Sequence, residues 1–168
     1  TTLPGYFGPT KDWDLIVVAD NVLLASIEFK AQVGSFGNNC NNRIEEAIGV
    51  STDLLVAYRE GKFRPSQRPW LGWLMLLEES EKSTSPIRVA EPHFEVFPEF
   101  KNTSYAKRYE LFCERLVRER LYDAACFLMS NASIGLKGGY FEPNEELNFK
   151  SFASSLLAHA IAFAKMRK

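Results

Sequence analysis

The stretch that decides the fold runs Trp13-Asp14-Leu15-Ile16-Val17-Val18-Ala19-Asp20-Asn21-Val22-Leu23-Leu24-Ala25-Ser26-Ile27-Glu28-Phe29-Lys30. Two β-rich runs flank Asp20-Asn21, a pair that is typical of a hairpin turn. Apolar residues fill both runs almost completely. We therefore predict two strands, over residues 13–18 and 22–30, that are buried on both faces.

Three charged side chains interrupt this apolar pattern, at Asp14, Glu28 and Lys30. Burying an ionised group without a partner costs roughly several kcal/mol, so these groups either reach solvent or serve a charged ligand. Glu28 and Lys30 are two residues apart and share a strand face. Asp14 faces Glu28 if the hairpin has a three-residue loop, or a bulge that restores the phase; a plain two-residue loop sends them to opposite faces.

Two carboxylates opposed across a strand pair repel each other, and a divalent cation removes that repulsion. Oxygen ligands of this kind favour Mg²⁺. The alternative is that Glu28 and Lys30 form a surface ion pair at a strand end, because the Glu-x-Lys spacing alone is common.

The residues around this set resemble a known family. Asp14 followed by Glu28-x-Lys30 matches the metal-binding motif of the PD-(D/E)XK nucleases. The flanking text resembles the XhoI family of type II restriction endonucleases, and it does so over most of the chain: Lys11-Asp12, Gln32-Val33-Gly34-Ser35-Phe36-Gly37-Asn38-Asn39, Asn41-Asn42-Arg43, Glu45-Glu46-Ala47, Ala57-Tyr58-Arg59-Glu60-Gly61, Pro69-Trp70-Leu71-Gly72-Trp73, Thr103-Ser104-Tyr105-Ala106 and Leu116-Val117-Arg118-Glu119-Arg120.

The resemblance implies an α/β fold, a restriction-endonuclease-like core with a central mixed β-sheet flanked by helices. It implies one nuclease domain over residues 1–168, which we expect to lack an N-terminal segment of the family. Asp14, Glu28 and Lys30 would be catalytic, and Mg²⁺ would be held by Asp14, Glu28 and the carbonyl of Phe29. The target would be the palindrome CTCGAG in double-stranded DNA, cut after its first cytosine to leave 5′-phosphate ends by a homodimer.

Candidate DNA contacts fall into three groups. Gln32 shares the face of Lys30 and could contact a water or a phosphate, or be a solvated strand end. An Asn-rich stretch could pair with bases or form turns. A basic loop could contact phosphates or simply be solvated. The Asn-rich stretch supplies Asn38, Asn39, Asn42 and Arg43, and the basic loop supplies Arg59, Lys62, Arg64 and Arg68.

Glu45 and Glu46 could add a carboxylate to the metal region, but such residues more often complement the dipole in the first turn of a helix.

The periodicity of the rest of the chain predicts a strand–helix–strand crossover. Residues 1–12 and 31–42 read as irregular, 43–60 as a helix, 70–78 as a buried strand and 93–97 as an edge strand. Further helices are expected over 102–120 and 149–165, the last with a basic tail over 165–168. A strand parallel to its neighbour is expected over 122–130.

The composition excludes several classes of protein. No apolar run approaches the roughly 18 residues of a membrane span. The net charge of −1 argues against a general polyanion binder but not against a metal-dependent nuclease. Three cysteines without metal-ligand spacing indicate reduced thiols in a cytoplasmic protein. Two other functions fit the sequence: an inert nuclease-fold module that binds DNA, and a repair or junction nuclease.

Overall fold

The protein is described here by a computed structural model, in which residues 1–166 are placed. Its strands are β1 (Thr2–Pro4), β2 (Thr10–Asp12), β3 (Leu15–Ala19), β4 (Val22–Gln32), β5 (Trp70–Glu78) and β6 (Ala124–Ser130). Its helices are α1 (Phe36–Arg59), α2 (Glu81–Thr84), α3 (Tyr105–Arg118), α4 (Ala132–Gly135) and α5 (Phe149–Met166), with short 3₁₀ turns at Pro98–Phe100 and Glu145–Leu147.

A four-stranded mixed sheet organises the molecule, in the order β3-β4-β5-β6. β3 runs antiparallel to β4, whereas β4, β5 and β6 are parallel to one another. The predicted α/β class, the crossover from β4 through α1 to β5, and the parallel strand β6 are confirmed.

Both faces of this sheet are covered, which explains the nearly continuous apolar runs of its inner strands. Odd-numbered residues of β5, such as Trp73 and Met75, pack against α1 and α3 in the larger core. Trp70 and Leu74 point to the other face, where Phe152 of α5 contributes to a smaller core. All three cysteines are buried free thiols, as expected for reduced cysteines.

The hairpin between β3 and β4 combines a two-residue turn with a bulge. Asp20 and Asn21 both have positive φ angles, 50° and 61°, as the tight turn requires. Val17 pairs with Ala25 and Val18 with Leu23, so Leu24 is an extra residue on β4. The predicted three-residue loop is wrong, and the alternative, a bulge that restores the phase, is confirmed.

Several expected boundaries are wrong. Residues 1–12 are not wholly irregular, because β1 and β2 form a small antiparallel pair. β3 is an edge strand with one neighbour and is only partly buried, not covered on both faces. Residues 93–97 form no strand, and Phe94 and Phe97 are largely exposed.

The largest error concerns residues 31–42, which were expected to be a loop. β4 continues to Gln32 and α1 begins at Phe36. Phe36 and Cys40 are buried one helical turn apart, and their packing against the core outweighs the weak helix propensity of the intervening asparagines.

In residues 1–166 no helix has the length and apolarity needed to cross a membrane. Of the expected basic tail, Arg167 and Lys168 lie outside the described residues.

Candidate active site

Glu28 is the centre of the site. It lies in the middle of β4, beside Trp73 of β5, on the sheet face that α1 and α3 cover. Its side chain is only 1% exposed, and both carboxylate oxygens are engaged: Oε1 lies 2.8 Å from Lys11 Nζ and Oε2 lies 2.9 Å from Lys30 Nζ. Glu28 is buried and Lys30 is partly buried, so the alternative of a surface ion pair at a strand end is wrong.

Lys30 links the strand to helix α1. Its ammonium is 2.9 Å from Glu28 Oε2 and 3.0 Å from Glu46 Oε1, and Glu46 Oε2 in turn lies 2.9 Å from Arg43 Nη1. Burial acts to lower the pKa of Lys30, but the hydrogen bonds and charges of Glu28 and Glu46 outweigh burial and raise it. The ammonium is thus held in its charged form, fixed beside Glu28.

The Glu46 carboxylate is held in its charged form as well. Burial acts to raise its pKa, but hydrogen bonds from Lys30 and Arg43 outweigh burial and lower it. The expectation that Glu45 and Glu46 complement the dipole in a first helical turn is wrong, because α1 begins at Phe36 and its first turn carries no acidic residue.

A buried tyrosine adjoins the carboxylate of Glu28. The hydroxyl of Tyr122 donates a 3.0 Å hydrogen bond to the carbonyl of Ala47 in α1. Burial raises the pKa of Tyr122, and the negative charge of Glu28 raises it further. Tyr122 therefore stays neutral.

Asp14 precedes β3 and reaches the same region along the strand edge. Leu15 pairs with Ile27, so the next position along the ladder places Asp14 opposite Glu28. Asp14 Oδ2 accepts a 2.8 Å hydrogen bond from the backbone N–H of Phe29. In an extended strand the N–H and C=O of one residue point to the same side, so the carbonyl of Phe29 is also directed toward the edge that Asp14 occupies.

These groups fit a hard divalent cation. The N–H of Phe29 draws the Asp14 carboxylate to the peptide that joins Glu28 to Phe29, so two carboxylates and a carbonyl adjoin one segment of β4. In residues 1–166 no cluster of three or more His, Cys, Asp or Glu side chains has the geometry of a metal cage. An open site with two carboxylates suits Mg²⁺, which keeps several waters and takes substrate oxygens, better than a metal that needs a closed protein cage.

Two members of this cluster were missed or misjudged from the sequence. Lys11 was noted only as part of a flanking motif, although its ammonium contacts Glu28 directly. Glu46 was weighed for the metal region but assigned to the helix dipole. The face on which Glu46 lies depends on where α1 begins, so a correct prediction of the helix start would have placed Glu46 toward Lys30. No sequence signal identifies Lys11, because the fold brings residues 11 and 28 together and no periodic pattern relates them.

Gln32 ends β4 and is buried rather than solvated, so the reading as a solvated strand end is wrong. Its Nε2 donates to the carbonyl of Gly34, at 2.5 Å. Its Oε1 is buried and has no hydrogen-bond partner among residues 1–166. A buried oxygen without a partner can accept a hydrogen bond from a water or from a donor group of a ligand.

The asparagine-rich stretch forms the first turns of α1 instead of a loop. Asn38 and Asn42 are exposed, Asn39 is partly exposed, and Arg43 is partly buried by its pair with Glu46. The beginning of α1 lines an open cleft of about 660 Å³, together with residues of α2 and Tyr105 of α3. The cleft walls include Asn38 and Lys82.

The basic loop after α1 lies elsewhere, near the start of β4 and β5. Ser66 Oγ accepts a hydrogen bond from the N–H of Leu23, which ties this loop to the beginning of β4. Arg59, Lys62 and Arg64 are exposed. Arg68 is not free, because its Nη1 donates to both oxygens of Asp123, at 2.6 and 2.8 Å.

Comparison with known proteins identifies the family of this chain. A family model described as restriction endonuclease XhoI matches residues 1–142. This chain belongs to the XhoI restriction endonuclease family. The resemblance found in the sequence, and the enzyme class that it implied, are confirmed.

Among curated members of the XhoI family, the type II restriction enzyme BstVI of Geobacillus stearothermophilus is 55% identical over 98% of this chain and 76% of its own length. The type II restriction enzyme XhoI of Xanthomonas vasicola is 52% identical over 69% of this chain and 47% of its own. The type II restriction enzyme AbrI of Azospirillum brasilense is 60% identical over 55% of this chain and 42% of its own. No solved structure matches the chain.

Proposed function

We propose that this protein is a Mg²⁺-dependent type II restriction endonuclease that hydrolyses double-stranded DNA at CTCGAG, after the first cytosine, and leaves 5′-phosphate ends. The observation that carries the proposal is the buried Glu28 carboxylate with Lys30 Nζ held 2.9 Å from it, beside Asp14 on the neighbouring strand edge. Family membership supplies the substrate class, and the recognition sequence follows from the resemblance.

Hydrolysis of a phosphodiester needs a water positioned for in-line attack and relief of the charge that develops on the phosphate. Lys30 would orient and polarise the attacking water, and its ion pairs with Glu28 and Glu46, which fix the ammonium from two sides, support this role. Fixing the ammonium in advance means that little reorganisation is needed during the reaction.

Asp14, Glu28 and the carbonyl of Phe29 would hold Mg²⁺. When bound, the ion would neutralise charge on the scissile phosphate and make a water more acidic. Asp14 is the exposed member of the set, and Glu28 is the buried one. The phosphate would therefore approach from the edge of the hairpin, where β3 begins.

DNA recognition would use the beginning of α1. Asn38, Asn39 and Asn42 present amide groups that pair well with adenine, and Arg43 could contact guanine. The unpartnered Oε1 of Gln32 would accept a hydrogen bond from a water at the phosphate. Arg59, Lys62 and Arg64 would contact the DNA backbone, and so would Arg68 if it leaves Asp123.

A palindromic target implies a twofold homodimer. Restriction of incoming DNA and buried thiols both fit the cytoplasm.

The test is cleavage of two plasmids that differ at one base pair. One carries a single CTCGAG site and the other carries CTCGAC at the same place. We expect the protein with Mg²⁺ to linearise the first plasmid only, and sequencing of the ends to show a 5′-phosphate after the first cytosine. Light scattering of the protein on a CTCGAG duplex is expected to show two protomers.

Three results would contradict parts of this proposal. Cleavage of both plasmids, or of branched DNA in preference, would favour a repair or junction nuclease. Binding to CTCGAG without cleavage in Mg²⁺ or Mn²⁺ would favour an inert DNA-binding module. Cleavage at a different palindrome would be consistent with the enzyme class but would overturn the assigned recognition sequence.

A further inference from the structure

Lys11 has a position that the proposed reaction leaves unexplained. It belongs to β2, outside the four-stranded sheet, and its ammonium reaches Oε1 of Glu28 at 2.8 Å. The same ammonium donates to the carbonyl of Asp12 and lies 5.7 Å from the centroid of the buried Trp13 ring. Lys11 thus occupies the carboxylate oxygen of Glu28 that Lys30 leaves open.

The two ammoniums on Glu28 are held differently. Lys30 is 15% exposed and has a second carboxylate partner in Glu46. Lys11 is 28% exposed, and the partners found for its ammonium besides Glu28 are a neutral carbonyl and an aromatic ring. Withdrawing Lys30 would take an ammonium from two carboxylates, those of Glu28 and Glu46. Withdrawing Lys11 would leave one oxygen of Glu28 without a cationic partner. Lys11 is the ammonium that leaves at lower cost.

The charges of the cluster favour such a withdrawal when a cation binds. Three cationic side chains, of Lys11, Lys30 and Arg43, balance the three carboxylates of Asp14, Glu28 and Glu46. A doubly charged ion that entered this neutral cluster would meet two ammoniums on the carboxylate it needs. Like charges at such short range disfavour binding of the ion, and more strongly at a partly buried site than in bulk water.

We propose that Lys11 is a displaceable counter-ion: it occupies Glu28 until a divalent cation enters, and its released ammonium then contacts a DNA phosphate. Lys11 is a positioning residue in this scheme, since it controls access to Glu28. The released ammonium needs an anion, and the DNA backbone is the anion that the substrate brings to this edge. The inference rests on the proposed metal-dependent nuclease function.

The first test measures Mn²⁺ affinity without DNA, by calorimetry, for the wild type and for Lys11→Met, Lys11→Arg and Lys150→Met. We expect Lys11→Met to bind Mn²⁺ about tenfold more tightly than the wild type, because a competing unit charge is gone. Lys11→Arg keeps the charge and should stay near the wild type. Lys150→Met removes an exposed charge of α5, across the sheet, and should not change affinity.

Two outcomes separate the failure of this inference from the failure of the proposed function. If the wild type binds Mn²⁺ and Asp14→Asn does not, while Lys11→Met matches the wild type, the counter-ion role is wrong and the nuclease proposal stands. If the wild type binds no Mn²⁺ and does not cut the CTCGAG plasmid in Mg²⁺, the metal-dependent function itself is wrong, and this inference falls with it.

A structure of the wild-type protein with Mn²⁺ tests the same point without relying on a variant that folds. We expect the ion on Glu28 and Lys11 Nζ more than 4 Å from both Glu28 oxygens. An ion on Glu28 with Lys11 still in contact would overturn the proposal.

The second test addresses the phosphate contact. The salt dependence of binding to a CTCGAG duplex is measured with and without Ca²⁺, for the wild type, Lys11→Met and Lys150→Met. With Ca²⁺, Lys11→Met should reduce the slope of log affinity against log salt by about 1, the effect of one lost phosphate contact. Without Ca²⁺ the slope should not change. An equal change in both conditions, or none in either, would overturn the release of Lys11.

Discussion

Lys30 Nζ lies 3.0 Å from Glu46 Oε1, an ion pair that joins the central strand β4 to helix α1. Glu28 holds the same ammonium from the strand side, at 2.9 Å. The position of the proposed catalytic amine therefore depends on a residue in a different element of the fold.

Replacing Glu46 with Gln should impair catalysis more than DNA binding. The variant removes one of two charges that fix Lys30, so the ammonium becomes less well oriented toward the attacking water. We expect kcat for cleavage of a CTCGAG duplex to fall about tenfold, less than the roughly 100-fold cost of a fully misplaced catalytic group, because Glu28 still holds the ammonium. Affinity for the duplex in Ca²⁺ should change less than twofold.

Glu45→Gln is the matched control, since Glu45 is the exposed neighbour on the same helix. It should retain the wild-type kcat. Equal losses in the two variants would show that the Glu46–Lys30 pair has no specific role.

The same pair should give the free energy of unfolding a defined pH dependence. The pKa of Glu46 is lowered from its usual 4.5, so its contribution is present above pH 4.5 and is lost as pH falls through the lower folded value. The pKa of Lys30 is raised from its usual 10.5, so its contribution is present below pH 10.5 and is lost as pH rises through the higher folded value.

Urea unfolding of the wild type and Glu46→Gln from pH 3 to pH 9 would measure this effect. We expect a constant difference in stability between pH 5 and pH 9, and a difference that shrinks below pH 4.5. A difference that grows as the solution becomes more acidic would contradict the assignment.

Asp14→Asn should separate the charge of this residue from its hydrogen bond. The amide oxygen of Asn can still accept from the N–H of Phe29, so the thermal midpoint should change little. Losing the carboxylate charge should weaken Mn²⁺ binding by at least tenfold.

Asp14→Ala loses both features and should in addition lower the thermal midpoint. If Asp14→Asn bound Mn²⁺ as tightly as the wild type, Asp14 would have to be removed from the set of metal ligands.

Arg64 and Arg68 should respond differently to replacement with Met. Arg68 holds Asp123, which also accepts from the N–H of Leu71, so Arg68→Met should lower stability by about 1 kcal/mol. Arg64 is exposed, and its replacement should weaken DNA binding with little effect on stability. Urea unfolding and duplex binding distinguish the two. If Arg68→Met lost more DNA affinity than Arg64→Met, this would show that Arg68 breaks its ion pair with Asp123 when DNA binds.

Two glycines should respond in opposite directions to alanine. A Cβ at Gly72 of β5 would lie 2.5 Å from the Trp70 ring and 2.7 Å from that of Phe152, so Gly72→Ala should destabilise by about 1–3 kcal/mol. A Cβ at Gly49 of α1 meets no atom within 4 Å, and Gly49→Ala should stabilise by about 1 kcal/mol through helix propensity. Thermal unfolding measures both changes. Stabilisation by Gly72→Ala would show that α5 packs differently on β5.

The sequence alone identified the strand pair around Asp20-Asn21, the crossover to β5, the parallel strand β6, and Glu28 and Lys30 as neighbours on one face. Each of these depends on local information. Side chains alternate along a strand, buried parallel strands are apolar on both faces, and an odd count of cysteines without metal-ligand spacing indicates free thiols. Local geometry left two ways to place Asp14 and Glu28 on one face, a three-residue loop or a bulge, and the structure has the bulge.

Tertiary structure decided where α1 begins, and with it the places of Asn38 and Glu46. It also decided that Arg68 holds Asp123, and that Lys11 reaches Glu28 from a strand outside the main sheet. These contacts join residues that no periodic pattern relates, and their geometry is set by how whole elements pack. Burial of Phe36 and Cys40 against the core extends α1 through a segment whose own propensity favours turns, because packing energy exceeds the small differences in local preference.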